Sequence, residues 1–484
     1  MSQQKELSRY LGLLTPKREG KDEKQAAVDT AREEFRNVPL VWWDVKHHMT
    51  DMNAGFQQYA VMGKALNDEA TGNPLPVLLN TNAPWSAFLC GSQGSGKSHA
   101  LSCMLENCLL DHPNIGKNPR PLAGLVFHYD RSQGSDICEA AYLCSKVPTK
   151  VLVSASNIGK LKERYGALAR QCGTSIEVEA LELHVSHLDT ERIKLLMAVG
   201  KSGEMPLYMN VVKKILREMA LETGGMGNFC YTKFTNRLED AGFSDMQSAP
   251  LDQRLNLLES FVDVQPRDSI TRVQGKTVRK KNIRNRNRTK ADPDIFATKP
   301  GTLTIIDLTD SVVDEDSACA LFDICLSIFL SQTACGKIIA LDEAHNYMGE
   351  RSVAAENFTE RLLKSIREQR HQGARVVIAT QEPSINTRLI DLCNITMVHR
   401  CTSPAWYSVL KNHLAALRGQ DTQDVFDTIV QLKTGESLLF CPTAAIGIDT
   451  MSHKIVSMNT EYVKFRTRSR VTADGGRSKL ADGN

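Results

Sequence analysis

A glycine-rich stretch, CGSQGSGKSHAL over residues 90–101, carries the residue types of a phosphate-binding loop. Its spacing is G-x-x-x-x-G-K-S, in which backbone N–H groups of the turn face phosphate oxygens. Lys97 is expected to reach the outer phosphates, and the Ser98 hydroxyl is expected to hold Mg²⁺. We name residues 91–98 the phosphate loop and predict that they bind ATP, together with the next residue, through Gly91, Ser92, Gln93, Gly94, Ser95, Gly96, Lys97, Ser98 and His99.

Two adjacent acids follow an apolar run in KIIALDEAHNYM, residues 337–348. Asp342 is expected to hold Mg²⁺ through water, and Glu343 is expected to polarise the water that attacks the γ-phosphate. In open parallel sheets ligands bind at the carboxyl ends of the strands, so these acids should meet Lys97 at one edge. The alternative is a strand followed by an acidic turn with no catalytic role.

The elements around these residues alternate between apolar runs and helical spacing. The pattern predicts strands over 84–90, 301–310 and 374–384 and helices over 314–331 and 358–370. Such alternation is typical of an α/β fold with a parallel sheet flanked by helices. Gln381, at the tip of its strand, can donate and accept hydrogen bonds and is placed to sense the γ-phosphate or the attacking water.

Taken together, GSQGSGKS, the strand-ending Asp342 and Glu343, and IATQEPS resemble the HerA-like branch of the FtsK–HerA superfamily of P-loop ATPases. The resemblance covers about residues 75–155 and 300–445. It implies a RecA-like core that assembles as a homo-oligomeric ring, usually a hexamer, and pumps DNA. The small N-terminal barrel of cellular HerA proteins is not evident in residues 1–80, which weakens the inference from ATPase to DNA pump.

The same resemblance assigns roles to further residues. Glu343 and Gln381 would be catalytic, and an arginine supplied to the neighbouring subunit should follow the glutamine closely. Arg388 is the first candidate for that arginine, with Arg400 and Arg370 as alternatives. An acid is also expected after the second core strand, where Asp130 stands, although the usual D-x-x-G-E run is absent.

The tetrapeptide DEAH, residues 342–345, also suggests the RNA helicases named after it. Those helicases have two tandem RecA-like lobes, and too little chain follows the acids here for a second one. We therefore favour the HerA-like interpretation, in which His345 has a structural or supporting role.

Composition narrows the protein class. The 484 residues are 42% hydrophobic and 24% charged, as in an ordinary globular protein. Thirteen cysteines without a C-x-x-C pair indicate reduced, buried thiols rather than disulfides or a zinc site, and hence an intracellular protein, cytoplasmic or nuclear. The apolar run over 318–330 contains Asp323 and is too short to span a membrane.

Residues 276–290, KTVRKKNIRNRNRTK, contain eight basic and no acidic residues. We name them the basic run; they could be a solvated loop, a nucleic-acid phosphate contact or a nuclear-import signal. The chain is predicted to divide into a partly disordered lead with a helix and short strands (1–74), a first core part (75–156), a mainly helical insertion (157–263), a basic mobile loop (264–299), a second core part (300–465) and a disordered tail (466–484).

Two functions from different classes remain open at this point. The first is a Mg²⁺-dependent ATPase motor that moves or remodels DNA as a ring. The second is an ATP-controlled switch or scaffold that assembles with protein partners and translocates nothing. Stimulation of ATP turnover by DNA would separate them.

Overall fold

The computed structural model of the chain describes most of its residues. The described ranges are 32–51, 55–66, 75–130, 137–198, 208–224, 229–243, 245–263, 269–273, 276–280, 294–296, 298–349, 352–382, 385–417, 422–449 and 454–475.

The strands are, in chain order, β1 (Leu40–Trp42), β2 (Tyr59–Ala65), β3 (Pro76–Leu79), β4 (Ser86–Cys90), β5 (Gly116–Lys117), β6 (Ala123–His128), β7 (Thr149–Val153), β8 (Glu177–Ala180), β9 (Ser269–Val273), β10 (Lys276–Lys280), β11 (Leu303–Asp307), β12 (Lys337–Leu341), β13 (Ala374–Thr380), β14 (Ile395–His399), β15 (Glu436–Phe440), β16 (Ala445–Ile448), β17 (Ile455–Ser457) and β18 (Val463–Thr467).

The helices are α1 (Trp43–Asp51), α2 (Lys97–Leu109), α3 (Ile158–Gln171), α4 (Thr190–Ala198), α5 (Tyr208–Glu222), α6 (Tyr231–Asp240), α7 (Asp245–Phe261), α8 (Glu315–Ser331), α9 (Val353–Arg367), α10 (Gln369–Gln372), α11 (Arg388–Leu392), α12 (Pro404–His413) and α13 (Thr422–Gln431). A 3₁₀ helix over Glu139–Ser145 follows β6.

Eight strands form a parallel half-sheet in the order β14-β4-β13-β12-β6-β11-β7-β8. Their registers align the carboxyl ends, because Cys90 pairs with Thr380, and Asp307 pairs with His128. The predicted α/β class with a parallel sheet is therefore confirmed. The site residues that follow β4, β12 and β13 lie at this shared edge.

Both faces of the parallel half-sheet are covered, which explains the continuous apolar runs of its strands. Val126 contacts the core on the face of α2 and α3, whereas its neighbours Leu125 and Phe127 belong to the core under α8 and α9. The ring of Phe127 lies 4.8 Å from that of Phe322 on α8. Asp323, which interrupts the apolar sequence of α8, is buried and paired with Arg361 of α9.

The sheet continues beyond β14 as a mainly antiparallel half, in the order β17-β16-β1-β3-β2-β18-β15. Strands β1 and β2 come from the segment expected to be a lead with a helix and short strands, and they join the main sheet rather than a separate unit. Residues 23–31, where most of the expected helix falls, lie outside the described residues.

The helical insertion begins later than the expected residue 157. Helix α3 connects β7 to the parallel strand β8, so it is a crossover of the core itself. Helices α4 to α7 then form the insertion, which returns to the core where the N–H of Leu183 donates to Phe261 O over 2.7 Å. Helical spacing is the same in a crossover and in an insertion, and only strand pairing separates the two.

Residues 466–475 correct the expectation of a disordered tail from residue 466 onward. Strand β18 lies between β2 and β15, and residues 468–475 pack against α2. The polar, glycine-containing composition suggested disorder, but two of its arginines pair with acids of the core: Arg468 Nη1 lies 2.7 Å from the buried Glu106, and Arg470 Nη1 lies 2.7 Å from the half-buried Glu139. Residues 476–484 are outside the described part.

The start of the basic run also differs from the mobile loop expected over 264–299. Strands β9 and β10 pair in an antiparallel hairpin. Residues 281–290 of the basic run lie outside the described residues. Within the described residues, no helix combines the length and apolar composition needed to cross a bilayer.

Candidate functional site

The phosphate loop connects β4 to α2 through backbone conformations that require glycine. Gly94 and Gly96 have φ angles of 71° and 106°, in the left-handed region. A Cβ on Gly96 would lie 2.7 Å from the backbone nitrogen of Gly435, and one on Gly91 would lie 2.7 Å from His399 Cβ. The loop is held to the sheet, since Ser92 N–H donates to Arg400 O over 2.9 Å. Glycine is therefore needed for both curvature and close packing.

The first turn of α2 is arranged to receive an anion. Its N-cap, Gly96, offers no side-chain cap, and no acidic residue stands in the first turn. The first N–H groups of a helix have no partner within the helix, and together with the helix dipole they favour a phosphate. Lys97 is 3% exposed, and its Nζ lies 3.1 Å from Ser92 O within the loop.

Asp342 and Glu343 follow β12 at the same edge. Asp342 is 4% exposed, and its Oδ1 has no hydrogen-bond partner among the described residues. Burial lowers the pKa of Lys97, while the charges of Glu343 and Asp342 oppose that shift, which places both acids near the ammonium group. Lys97, Asp342 and Glu343 therefore lie at the same carboxyl edge of the sheet, where the sequence predicted them.

Glu343 is held by Gln381 and lies close to His345. The side-chain amide of Gln381, after β13, donates from Nε2 to Glu343 Oε1 over 3.0 Å. His345 Nδ1 lies 3.4 Å from Glu343 Oε2 and accepts from the N–H of Gln381 at the same distance. Burial lowers the pKa of His345 despite the nearby Glu343, so the ring is a neutral acceptor in this contact.

The solved structure of VirB4 of Thermoanaerobacter pseudethanolicus superimposes on this chain with a TM-score of 0.51, at 11% sequence identity, over 86% of this chain and 97% of that chain. The chain has the RecA-like fold of P-loop ATPases. This finding confirms the fold that the resemblance implied. The sequence matches no family model and no curated protein.

Two further similarities have TM-scores too low to support an argument. EssC (ATPases 2 and 3) from Geobacillus thermodenitrificans gives 0.33, at 12% identity over 86% of this chain and 45% of that chain. The genome packaging NTPase B204 from Sulfolobus turreted icosahedral virus 2, in complex with ATP-gammaS, gives 0.22, at 14% identity over 34% of this chain and 68% of that chain.

Within this P-loop fold, two predicted binding residues have different surroundings. Ser98 is half-buried and follows Lys97 directly in the first turn of α2. The ring of His99 instead faces the C-terminal segment, with Nε2 2.8 Å from Arg468 O and Nδ1 3.5 Å from Asp474. Only the backbone of His99 is thus available to a phosphate.

The three candidate arginines lie in different places. Arg388 begins α11, is exposed, and pairs with Glu360 of α9. Arg400 is exposed just after β14, where its carbonyl contacts the phosphate loop. Arg370 lies in α10, directly before β13, and so at the opposite, amino edge of the sheet. Position therefore favours Arg400 over Arg370, whereas Arg388 lies on the helix that leads to the amino end of β14.

His399 is a site residue that sequence reasoning missed. It ends β14 beneath the phosphate loop, is fully buried, and has no hydrogen-bond partner for either ring nitrogen among the described residues. Burial, with a smaller effect of Lys97, lowers its pKa to about 3, so the ring is neutral. Nothing in the spacing of TMVHR indicates this contact, because it depends on the pairing of β14 with β4.

A second missed group lies behind Asp342. His128, at the end of β6, has its Nδ1 3.6 Å from Asp342 Oδ2, and Cys138 lies beside both. The predicted Asp130 is two residues further on, where its N–H donates to Thr309 Oγ1 over 3.0 Å. Asp130 is thus tied to the segment after β11.

Proposed function

We propose that this chain is a Mg²⁺-dependent ATPase, and that it acts as a ring-forming motor of the HerA and FtsK type that translocates or remodels DNA. One observation carries the ATPase part: the buried Lys97 and Asp342 and the half-buried Glu343 lie at the carboxyl edge of the sheet, and Gln381 donates to Glu343. A simple acidic turn would not need a buried lysine at the same edge.

The residues present fit both ATP and Mg²⁺. The uncapped helix N-terminus and Lys97 match the charge of the phosphates, and Asp342 Oδ1 is a buried carboxylate oxygen without a described partner. Asp342, through water, and the Ser98 hydroxyl would hold Mg²⁺. When bound, the ion supplies positive charge against the developing charge on the phosphate oxygens.

The chemical step is in-line attack of water on the γ-phosphorus. Glu343 accepts a proton from the water as its oxygen bonds to phosphorus, and the bond between the γ-phosphorus and the bridging oxygen breaks to release ADP. Gln381 donates a hydrogen bond to Oε1 of the Glu343 carboxylate. Oε2 of the same carboxylate faces the attacking water and His345. Lys97 neutralises charge on the transferred phosphoryl group.

Two substitutions test this assignment. Lys97→Ala should abolish tight ATP binding or turnover, whereas Glu343→Gln should bind ATP normally and lower kcat by at least about 100-fold, since a general base is lost. Equilibrium binding of a fluorescent ATP analogue and a phosphate-release assay would measure the two effects. Glu382→Gln, which changes the acid next to Gln381, is the matched control and should keep turnover. Unchanged turnover in Glu343→Gln would remove it from the role of base.

The DNA part of the proposal is supported by the resemblance and by the basic run. Single- or double-stranded DNA should raise kcat for ATP.

Replacing the eight Lys and Arg residues of 276–290 with Ser or Gln should preserve DNA-free turnover and flatten the salt dependence of DNA binding, because each phosphate contact contributes a slope of about −0.9. An unchanged salt slope would make the basic run a solvated loop. Turnover indifferent to DNA, with ATP-dependent binding of a protein, would favour the switch.

A further inference from the structure

Three buried side chains of different types meet behind Asp342. His128 ends β6, Cys138 precedes the 3₁₀ helix 139–145, and Asp342 follows β12. Their ligand-type atoms all lie within 4.8 Å of one another. The residues are 7%, 0% and 4% exposed, so bulk water does not solvate the group. We name these three residues the thiol cluster.

Polar atoms of the thiol cluster lack hydrogen-bond partners among the described residues. Neither ring nitrogen of His128 is hydrogen-bonded, and neither is Asp342 Oδ1. The closest approach, His128 Nδ1 to Asp342 Oδ2, is 3.6 Å. Buried polar groups are nearly always paired in native proteins, and an unpaired one is costly. These atoms therefore point to a ligand that the protein atoms do not supply.

The charge around the thiol cluster is predominantly negative. Asp307, 1% exposed, lies close enough to act with Asp342 on both His128 and Cys138. Burial and these two carboxylates hold the pKa of the Cys138 thiol well above its usual range. Burial lowers the pKa of His128, but Asp307 and Asp342 more than offset this and raise it to about 9. The buried carboxylates Asp307 and Asp342 supply the negative charge here, and a metal would displace the protons held by Cys138 and His128.

We propose that His128, Cys138 and Asp342 form a binding site for Zn²⁺. A thiolate, an imidazole and a carboxylate are the ligands that zinc takes in proteins, whereas Mg²⁺ prefers oxygen alone. Three protein ligands leave one tetrahedral position for water. On binding, the Cys138 thiol and the protonated His128 ring each give a proton to solvent, and His128 then coordinates as the neutral ring through a nitrogen lone pair.

The spacing requires only a small adjustment. Zinc bonds of about 2.0–2.3 Å at tetrahedral angles place ligand atoms about 3.3–3.8 Å apart. The side chains must therefore draw together by at most about 1.5 Å, starting from the 4.8 Å limit. Cys138 precedes a short 3₁₀ helix and belongs to no strand of the sheet.

The zinc site shares Asp342 with the proposed Mg²⁺ site but does not rest on the proposed function. If both are correct, Zn²⁺ withdraws the Asp342 carboxylate from Mg²⁺ and inhibits ATP hydrolysis. Zinc binding itself is measured without ATP, so failure of the ATPase proposal and failure of the zinc proposal give different results.

Metal titration of the full chain tests the site. Metal-free protein is titrated with Co²⁺, whose thiolate charge-transfer band reports a cysteine ligand, and Zn²⁺ then displaces it. We expect one equivalent with the thiolate band in the wild type. Cys138→Ser should remove the band and lower Zn²⁺ affinity at least about 100-fold. A residue that only hydrogen-bonds to a metal ligand would cost less when it is replaced. Cys108→Ser, a fully buried thiol of α2, is the matched control and should bind like the wild type.

Two results would overturn the site. One is a folded wild type, verified by circular dichroism, that shows no Co²⁺–thiolate band. The other is a Cys138→Ser protein that binds Zn²⁺ as the wild type does. Should Cys138→Ser fail to fold, His128→Gln provides the second variant, with the same expected loss of zinc affinity. Zinc inhibition of ATP turnover, expressed relative to each protein's zinc-free rate, should then be weaker in the variants.

Discussion

At the scale of single residues, the backbone of Glu343 is unusual. Its φ is 47°, in the left-handed region that residues other than glycine rarely adopt. Such a conformation costs about 1–3 kcal/mol and persists where the surroundings hold it. Here the turn after β12 aims the carboxylate at Gln381 and His345. The strained turn therefore places this carboxylate, the proposed base, at the edge of the sheet.

The Gln381 contact leads to a first prediction at this scale. Gln381→Ala removes the donor to Glu343 Oε1, so the base loses its orientation while the phosphate loop is unchanged. We expect kcat for ATP to fall about 10- to 100-fold, because a misoriented base loses part of its catalytic contribution. KM should change less than about threefold. Steady-state phosphate release would measure both constants.

Gln369→Ala is the matched control for that prediction. Gln369 is also half-buried and donates from Nε2 to Asn394 over 3.2 Å, but it lies in α10 at the amino edge of the sheet. Its loss should leave kcat within about twofold. Equal losses in the two variants would mean that Gln381 acts on stability and not on Glu343.

At the scale of elements, residues 468–475 clamp onto the helix that follows the phosphate loop. Glu106 of α2 is fully buried and accepts from the backbone N–H of Thr472 over 2.9 Å and from Arg468 Nη1 over 2.7 Å. Burial raises the pKa of Glu106, but the hydrogen bonds of Thr472 and the charge of Arg468 outweigh it and give a net lowering. The carboxylate is thus stable as an ion within the core.

Arg470 is the basic residue whose loss should cost most in this clamp. Its side chain is 1% exposed and its Nη1 lies 2.7 Å from Glu139. Arg470→Ala removes a buried guanidinium from Glu139, which is 23% exposed and keeps the N–H of Gly475, so the free energy of unfolding should fall by about 1–3 kcal/mol. The shift of the urea midpoint, followed by circular dichroism, would measure it.

Lys150→Ala is the control for Arg470→Ala. Lys150 Nζ lies 2.6 Å from Glu179 on the neighbouring strand, but these side chains are 25% and 45% exposed. Exposed pairs contribute about 1 kcal/mol or less, so the midpoint should shift little. A small shift in Arg470→Ala as well would show that residues 468–475 contribute little to stability.

At the scale of the whole molecule, the proposed ring requires a residue that reaches the next subunit. Arg388 is half-exposed at the start of α11, the short helix that leads into β14, and its present partner Glu360 is equally exposed. An exposed pair is weak, so Arg388 can exchange Glu360 for another anion at little cost. A phosphate bound to a neighbouring subunit would be such an anion.

Subunit mixing tests this arrangement. Arg388→Ala should bind ATP normally but lower kcat by about 10³-fold, as for other arginines that act in trans. Mixing it with Glu343→Gln protein should restore activity, because mixed interfaces combine an intact Glu343 with an intact Arg388. Arg370→Ala, at the amino edge of the sheet, should keep wild-type turnover.

Sedimentation with ATP and Mg²⁺ should show an oligomer. A fully active monomer would exclude the ring, whereas an active Arg388→Ala would transfer the role to Arg400.

The sequence alone determined the parts of this protein that lie close together along the chain. The phosphate loop is contiguous, Asp342 and Glu343 are adjacent, and the strand and helix patterns around them are local. Apolar runs and helical spacing follow from which faces must be buried, and they predicted β12, β13 and α8 with nearly correct ends. The parallel sheet and the carboxyl-edge site followed from their alternation.

Tertiary structure decided the contacts between distant segments. Strand order brings His128 to Asp342 and His399 beneath the phosphate loop, and it gives Cys138 neighbours that no cysteine spacing shows. The polar, glycine-containing sequence near the C-terminus suggested disorder because composition does not reveal that Arg468 and Arg470 pair with the buried Glu106 and the half-buried Glu139. Which strands pair depends on the chain topology. The topology is set by the apolar surface that the whole sheet buries, and no single stretch of sequence determines it.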